Sequence, residues 1–490
     1  MRHSVAMSVQ VDAALREHLD RPDGQEDICL ATYSVSTGRT RISRLITQVE
    51  LPATGERRVH GNATITGDYV LRVAAVAAAR EEGLVILHSH PGGHGWQELS
   101  GPDHDAERSY SHLVQRITGL PLVGMTYSGG DQAWSAREWV IGSPIWHESV
   151  RVVGNTLRIT WNDTQRRPPA TTVEQIRTVS AWGEQLQQDI ARMRVLVVGV
   201  GSVGLDVAIR LAATGIQHIG VMDYDTVEPL NRDRMIGATR KDARRKTPKV
   251  EVADRLMTTA ATARCPEIAL HYLSICSPEG LATALDYDVI FSCVDRPWPR
   301  AVMNTLGYSD LIPVIDGGIN IDTFPNGCMQ GASWRVQAVA PGVPCLSCSG
   351  QINMPQVALD RAGLLDDANY ISQAGLHSPA SQNVALLSAS VSAAQLAQFV
   401  TLTVSPGGRG VYSPLRYILA AHHQEHLDGI SQPGCRFEHR PGEGDKRSEF
   451  VSNTGPWIDA MAARTRKRRN FALPCALARF VASARITDRK

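Results

Sequence analysis

The 490-residue chain has little of what marks a protein by composition alone. Its formal net charge is +1, so no bulk field draws it to nucleic acid or to a membrane surface. The 20% charged fraction is ordinary for a globular protein. Nine cysteines are spread thinly, and only Cys345 and Cys348 lie close together. That fits reduced thiols better than a disulfide framework. The first residues hold no apolar core of signal-peptide length. The most apolar long stretch, Asn383–Val404, is interrupted by Ser388, Ser390, Ser392, Gln395 and Gln398. It reads as a buried helix followed by a strand, not as a membrane span. A cytoplasmic location is the expectation, and the length has room for two or three domains.

What is present centres on Val195–Asp225. Val195–Val198 is a fully apolar run suited to a strand buried on both faces. Gly199, Gly201 and Gly204 follow as G-x-G-x-x-G. Glycines there let the chain turn tightly, approach a phosphate and pack the next helix on the sheet. Leu205–Thr214 reads as that helix, closed by Gly215. Ile219–Met222 is a second buried strand ending in Asp223, an acidic residue placed to hold ribose hydroxyls. The unit predicts a nucleotide with its phosphates at a helix N-terminus.

A second constellation ends the buried strand Gly83–Leu87. His88 and His90 lie two apart at a strand terminus, so their imidazoles face one side. Ser100 and Asp103 follow after a glycine-rich loop. Two imidazoles and one carboxylate leave a fourth zinc position open, as hydrolytic sites require. His88, His90, Pro91, Ser100 and Asp103 together resemble the JAMM (MPN/Mov34) metalloprotease family, whose pattern is an upstream Glu, H-x-H-P and S-x-x-D. The resemblance implies an α+β, cytidine-deaminase-like domain cleaving peptide or isopeptide bonds after the C-terminal glycine of ubiquitin-like proteins. It implies that His88, His90 and Asp103 bind zinc and that Ser100 stabilises the oxyanion. Glu26 is assigned as general base, with Glu50 as the alternative. His94 and His104 are read as solvated loop residues.

Asn162–Ala170 is polar with a Pro pair, which marks a boundary; residues 1–150, 151–171, 172–425 and 426–490 are read as peptidase-like domain, linker, nucleotide domain and extension. Thr172–Ala191 reads as a helix broken near Gly183. Past Asp223 come Asp225, Asn231, Arg234 and Lys249, and Asp295 ends another apolar strand, Val289–Val294. Cations around phosphates with a separate carboxylate suit ATP and magnesium, a set that NAD chemistry does not need. The order Gly199, Gly201, Gly204, Asp223, Asp225, Asn231, Arg234, Lys249, Asp295 resembles the ThiF/MoeB and ubiquitin-activating enzyme family. The resemblance implies an α/β, Rossmann-like doubly wound domain that adenylates a C-terminal glycine. Asp223 would hold ribose, Asn231, Arg234 and Lys249 phosphates, and Asp295 magnesium. Arg177 would reach the nucleotide of a neighbouring subunit. Ser202 and Met235 depart from the family's usual glycine and glutamine.

Cys345 and Cys348 form a C-x-x-C that in this family is half of a Cys₄ zinc site. The second pair is missing, so a complete Cys₄ site is not expected, and Cys348 is the thiol assigned as an acyl acceptor, a structural role being the alternative. Arg464–Arg469 carries a basic run, read as a solvated face, and Phe471–Ile486 reads as a short amphipathic helix.

The expectation is a peptidase fused to an adenylating enzyme, both acting at the glycine tail of a ubiquitin-like protein in a bacterial conjugation or antiviral setting. Its cofactors would be zinc, ATP and magnesium. Its partners would be the carrier protein, a conjugating enzyme and a second copy of the chain. The alternatives are trimming and activation of a sulfur-carrier protein for biosynthesis, and a non-catalytic scaffold for ubiquitin-like proteins.

Overall fold

A computed structural model describes residues 1–60, 62–366, 382–411, 414–427, 429–439, 441–448, 450–460 and 462. The basic run at 464–469, Cys475 and the helix expected at 471–486 lie outside the described residues.

The N-terminal part runs β1 (Arg2–Ser8), α1 (Val9–Leu19), β2 (Ile28–Thr37), β3 (Arg41–Glu50), β4 (Arg57–His60), β5 (Asn62–Ile65), α2 (Gly67–Ala79), β6 (Gly83–His90), α3 (Gly101–Thr118), β7 (Val123–Ser128), β8 (Ala133–Val140), β9 (Ser143–Trp146), β10 (Ser149–Val153) and β11 (Leu157–Trp161). Apart from the β4–β5 hairpin these strands form one nine-stranded sheet, ordered β11-β10-β1-β3-β2-β6-β7-β8-β9. α2 is alanine-rich because it lies close against the sheet, burying Val70, Val73, Ala74 and Ala77; Thr66 caps its start. Residues 151–171 are not all connector. β10 and β11 pair antiparallel inside this sheet; Val150 and Val152 are buried in its core, and Val153, Leu157 and Trp161 are buried against the second part of the chain. The connector begins at Asn162.

The second part runs α4 (Ile176–Trp182), α5 (Glu184–Ala191), β12 (Arg194–Val198), α6 (Ser202–Thr214), β13 (His218–Met222), α7 (Arg240–Arg245), α8 (Lys249–Ala260), β14 (Glu267–His271), α9 (Pro278–Ala284), β15 (Val289–Ser292), α10 (Pro297–Ser309), β16 (Val314–Thr323), β17 (Met329–Val339), α11 (Met354–Arg361), α12 (Ala385–Val404), β18 (Leu415–Ile418) and β19 (His423–His426). Gly183 breaks α4 from α5 at φ 91°, as the sequence suggests. The sheet order is β14-β13-β12-β15-β16-β17-β18-β19. β14 to β16 run parallel, and β17 onward is antiparallel. The strand order switches at β12, flanked by β13 and β15, so a crevice opens beyond its C-terminal end.

α12 is one continuous helix, with no strand in its second half. The β-branched tail Val400–Val404 mimics a strand in sequence. Length and apolarity would let this helix cross a membrane, but its polar groups serve the sheet. Gln395 Nε2 donates to the carbonyls of Ser292 (3.1 Å) and Ile315 (2.9 Å). It is a core helix.

The two sheets share a charged seam. Buried Arg41 donates to Asp288 Oδ1 at 2.5 Å and to the Leu285 carbonyl at 3.0 Å. Arg151, also buried, reaches Asp288 at 3.2 Å, and the Arg194 N–H supplies a third donor at 2.9 Å. Asp286 accepts from the backbone of Thr40 and Arg41, each at 2.9 Å. Past β19 the chain returns across this seam. Asp445 accepts from the Thr37 N–H at 3.0 Å, and Asp310 links Ser36 (2.7 Å) with Arg447 (2.9 Å).

Candidate active sites

β6 is central and buried until its last residue. Its end therefore delivers His88 and His90 to one side, their ring centroids 5.0 Å apart. Ser100 caps α3, accepting from the Asp103 N–H at 3.2 Å and donating to Asp103 Oδ2 at 2.5 Å. That cap turns Asp103 toward the histidines: Oδ2 lies 3.5 Å from His88 Nε2 and 4.0 Å from His90 Nε2. Ligand atoms of all three lie within 4.8 Å of one another. Burial, reinforced by the Arg137 charge, pulls the His88 imidazole down to about 3, which keeps it neutral, as a metal ligand must be. Burial opposes ionisation of Asp103, but His88 and the Ser100 hydrogen bond hold its carboxyl below the usual range. The donor set fits zinc with one side open.

The next shell is built as metal sites require. Gln97 Oε1 meets His90 Nδ1 at 3.2 Å and leaves Nε2 facing Asp103. Behind His88, Thr126 accepts from Arg137 at 2.7 Å, and Arg137 pairs with buried Glu107. Reciprocal bonds between Asp27 and Ser89, each 2.9 Å, tie the segment before β2 to the end of β6. Glu26 consequently stands where the charges of His90 and Asp103 act on it; burial raises its pKa. Glu50 instead faces Arg80 at 3.3 Å. His104 packs against Trp139, and neither it nor His94 joins the cluster. A second group, His3, Glu138 and His147, already holds the Arg44 guanidinium on Glu138 at 2.8 Å, a cation that would repel a metal.

In the second sheet a cavity of about 1030 Å³ lies beyond the parallel strand ends, lined by Gly199, Gly201, Asp223, Asp225, Asn231, Arg234, Lys249 and Asp295. The glycines divide the work. Gly199 turns the chain at φ +84°; a Cβ on Gly201 would meet nothing within 4 Å; one on Gly204 would lie 1.9 Å from the Gly199 carbonyl oxygen. Gly201 thus faces open space, whereas Gly204 seats α6 on the sheet. Asp223 accepts from the N–H groups of Val200 and Asp225, each at 2.8 Å, and burial raises its pKa against the pull of Lys249. Lys249 lies 2.7 Å from Asp225 and 4.0 Å from Asp223; burial disfavours its charge, but those carboxylates keep its pKa above the usual value. Asn231 Oδ1 accepts from the Glu228 N–H at 2.9 Å and Arg234 donates to the Leu230 carbonyl at 2.7 Å, so both are held in one turn. Residues 173–407 match the ThiF family.

Curated relatives of the ThiF region include the adenylyltransferase and sulfurtransferase MOCS3 of Caenorhabditis briggsae, 25% identical over 172 residues, 35% of this chain and 39% of that protein. The MOCS3 of Anopheles gambiae is 33% identical over 126 residues, 26% of this chain and 28% of that protein. The chain spans well under half the length of these relatives. Among solved structures, Escherichia coli MccB with ATP aligns at TM-score 0.42 and 16% identity, covering 55% of this chain and 74% of that one.

Cys348 is not among the residues that line the ThiF cavity. It sits with Cys345, Cys435 and Glu438, whose ligand atoms lie within 4.8 Å of one another. Burial pushes the Cys348 thiol up to about 11, the reverse of what an acyl-accepting nucleophile needs. The group fits a structural zinc instead. Three sulfurs and a carboxylate make four donors, and the N–H groups of Cys348 and Gln432 donate to Cys345 Sγ (3.3 Å) and Cys348 Sγ (3.4 Å). Cys435 and Glu438 repeat the three-residue spacing of Cys345 and Cys348, a signal that a search for cysteine pairs alone misses. Arg177 is exposed on α4 and does not line the cavity of its own chain.

Sequence reasoning also missed the cavity wall supplied by the extension. Trp457 lines the pocket and packs on Trp298 (5.5 Å) and on Tyr224 (6.5 Å), which stands in the chain between the cavity-lining acids Asp223 and Asp225.

Proposed function

We propose that the ThiF region adenylates the C-terminal carboxylate of a small glycine-tailed carrier protein, and that the N-terminal sheet carries a zinc peptidase acting on the same tail. The observation that carries the first half is the meeting of Gly201, Asp223, Asn231, Arg234, Lys249 and Asp295 in one cavity at the switch point of the sheet. Asp223 is held for ribose, Arg234 and Lys249 offset phosphate charge, and Asp295 would hold the magnesium that accompanies ATP. The relatives' names favour a sulfur carrier over a ubiquitin-like protein that becomes conjugated. ATP–pyrophosphate exchange should require a glycine-tailed protein and vanish in Arg234→Ala. Intact mass separates the two carrier classes: a thiocarboxylate supports the sulfur carrier, whereas lysine-linked conjugates exclude it as the sole role.

The peptidase half rests on the convergence of His88, His90 and Asp103 beside Glu26. Zinc bound there supplies Lewis acidity and lowers the pKa of water. His88 and His90 would hold it from the strand, Asp103 from the helix cap. Glu26, its pKa raised by burial, moves a proton between water and the departing amine. Cleavage of a carrier precursor after its glycine, abolished in Glu26→Gln with zinc content unchanged, is the expected result. Cleavage retained in that variant refutes it.

A further inference from the structure

Among the described residues, five cationic side chains line the nucleotide cavity: Arg234, Lys249, Arg296, Arg300 and Arg335. The first four are paired. Arg234 lies 3.0 Å from Asp233, Lys249 2.7 Å from Asp225 and Arg296 2.7 Å from Asp360, and Arg300 holds Asp316. Among the described residues Arg335 has no ion pair, and its buried Nε has no hydrogen-bond partner. The carboxylate whose charge acts on Arg335, Asp316, is already taken by Arg300 and by Ser292 Oγ at 2.7 Å. Leaving a guanidinium half-buried and unpaired costs free energy unless an anion arrives to meet it.

Its place in the sheet says which anion. Along the strand ends the order is β13 with Asp223, β12 with the glycine turn, β15 with Asp295, then β16 and β17. Ribose, phosphates and magnesium would occupy the first three positions. Arg335, on β17 opposite Gly318, lies past the metal end, on the side of the phosphates away from the ribose. Gly318 keeps that place open: a Cβ there would lie 3.3 Å from Arg335 Nη2.

We propose that Arg335 receives the terminal carboxylate of the carrier protein's glycine tail, beside the α-phosphate. This rests on the adenylation reading above. One carboxylate oxygen donates an electron pair to the α-phosphorus. The bond from that phosphorus to the oxygen bridging the α- and β-phosphates breaks, and pyrophosphate leaves with the electron pair; no proton moves. Arg335 lets one anion approach another, and its hold weakens once the carboxylate has become a neutral acyl group, which favours the forward product. The guanidinium matches a carboxylate in two-pronged geometry.

The test uses the full chain, a sulfur-carrier protein ending in Gly-Gly, and the same protein with its terminal carboxylate amidated. In wild type the carboxylate form should bind the ATP–magnesium-loaded enzyme at least tenfold more tightly than the amide. In Arg335→Gln that preference should disappear and the carrier KM in pyrophosphate exchange should rise at least tenfold, with the ATP Kd changed less than twofold. Arg335→Lys should recover part of the preference. An ATP Kd that rises as much as the carrier KM overturns the assignment in favour of a phosphate contact. An undiminished preference in Arg335→Gln overturns it outright. Absence of exchange in wild type with ATP still bound would overturn the adenylation reading itself, and the binding preference would still judge Arg335 separately.

Discussion

Two glycines three residues apart should fail in opposite ways. A methyl added at Gly204 would stand 1.9 Å from the Gly199 carbonyl oxygen, a backbone atom that cannot swing aside, while one at Gly201 would meet nothing within 4 Å. For Gly204→Ala, overpacking costs about 1–3 kcal/mol, with the upper end fitting a rigid neighbour. The better helix propensity of alanine offsets about 1 kcal/mol of this inside α6. The net is a loss of about 2 kcal/mol. Gly201→Ala should leave stability within about 0.5 kcal/mol but fill the approach to the phosphates, weakening ATP–magnesium at least tenfold, or about 1.4 kcal/mol. Urea denaturation followed by tryptophan fluorescence reads the first effect and titration calorimetry the second. A stable Gly204→Ala, or a Gly201→Ala that binds ATP normally, would refute the division of roles.

Asp288→Asn should destabilise the chain by about 3–5 kcal/mol, because Arg41 and Arg151 stay buried with their shared anion gone; a change under about 1 kcal/mol in urea denaturation would count against the seam. Glu438→Ala and Cys435→Ser should each lower the zinc content of purified protein by about one equivalent while leaving the His88 cluster loaded, as metal analysis would report. His271, 2.6 Å from the Tyr287 hydroxyl, is held by burial, with help from Arg39, at about 4, below its ordinary 6.5. Its folded form prefers to be neutral, so its stabilisation is complete above pH 6.5 and is lost as pH falls from 6.5 toward 4. Melting temperatures should fall across that window, and His271→Gln should make the fall shallower without abolishing it, since buried His88 and His218 are shifted the same way. Trp457→Ala should raise the ATP Kd several-fold through slack in Tyr224, without touching precursor cleavage.

That Gly201, Asp223, Asn231, Arg234, Lys249 and Asp295 share one cavity was legible because they sit at fixed offsets from strand ends, where backbone geometry dictates direction. The same holds for His88 and His90, whose shared side follows from strand alternation alone. Asp103 was reached through its spacing from Ser100, although the reason for that spacing, a helix cap that aims the carboxylate, emerges only in three dimensions. Other features were hidden for physical reasons. Cys435 and Glu438 lie some 90 residues from Cys345, so chain proximity carries no hint of their meeting. β10 and β11 are short and interrupted by Gly154 and Asn155, and their membership in the first sheet depends on β1. Arg335 sits in an unremarkable strand, and its unpaired state depends on Arg300 having claimed Asp316.

The salt-locked seam through Arg41 and Asp288 also bears on traffic between the two pockets. Both ride on one block, with no swinging arm among the described residues, so on the proposed function a carrier trimmed at the first would have to let go, diffuse and rebind at the second. Its trimmed form should therefore be interceptable in solution, and excess unlabelled carrier should dilute a labelled one between the steps.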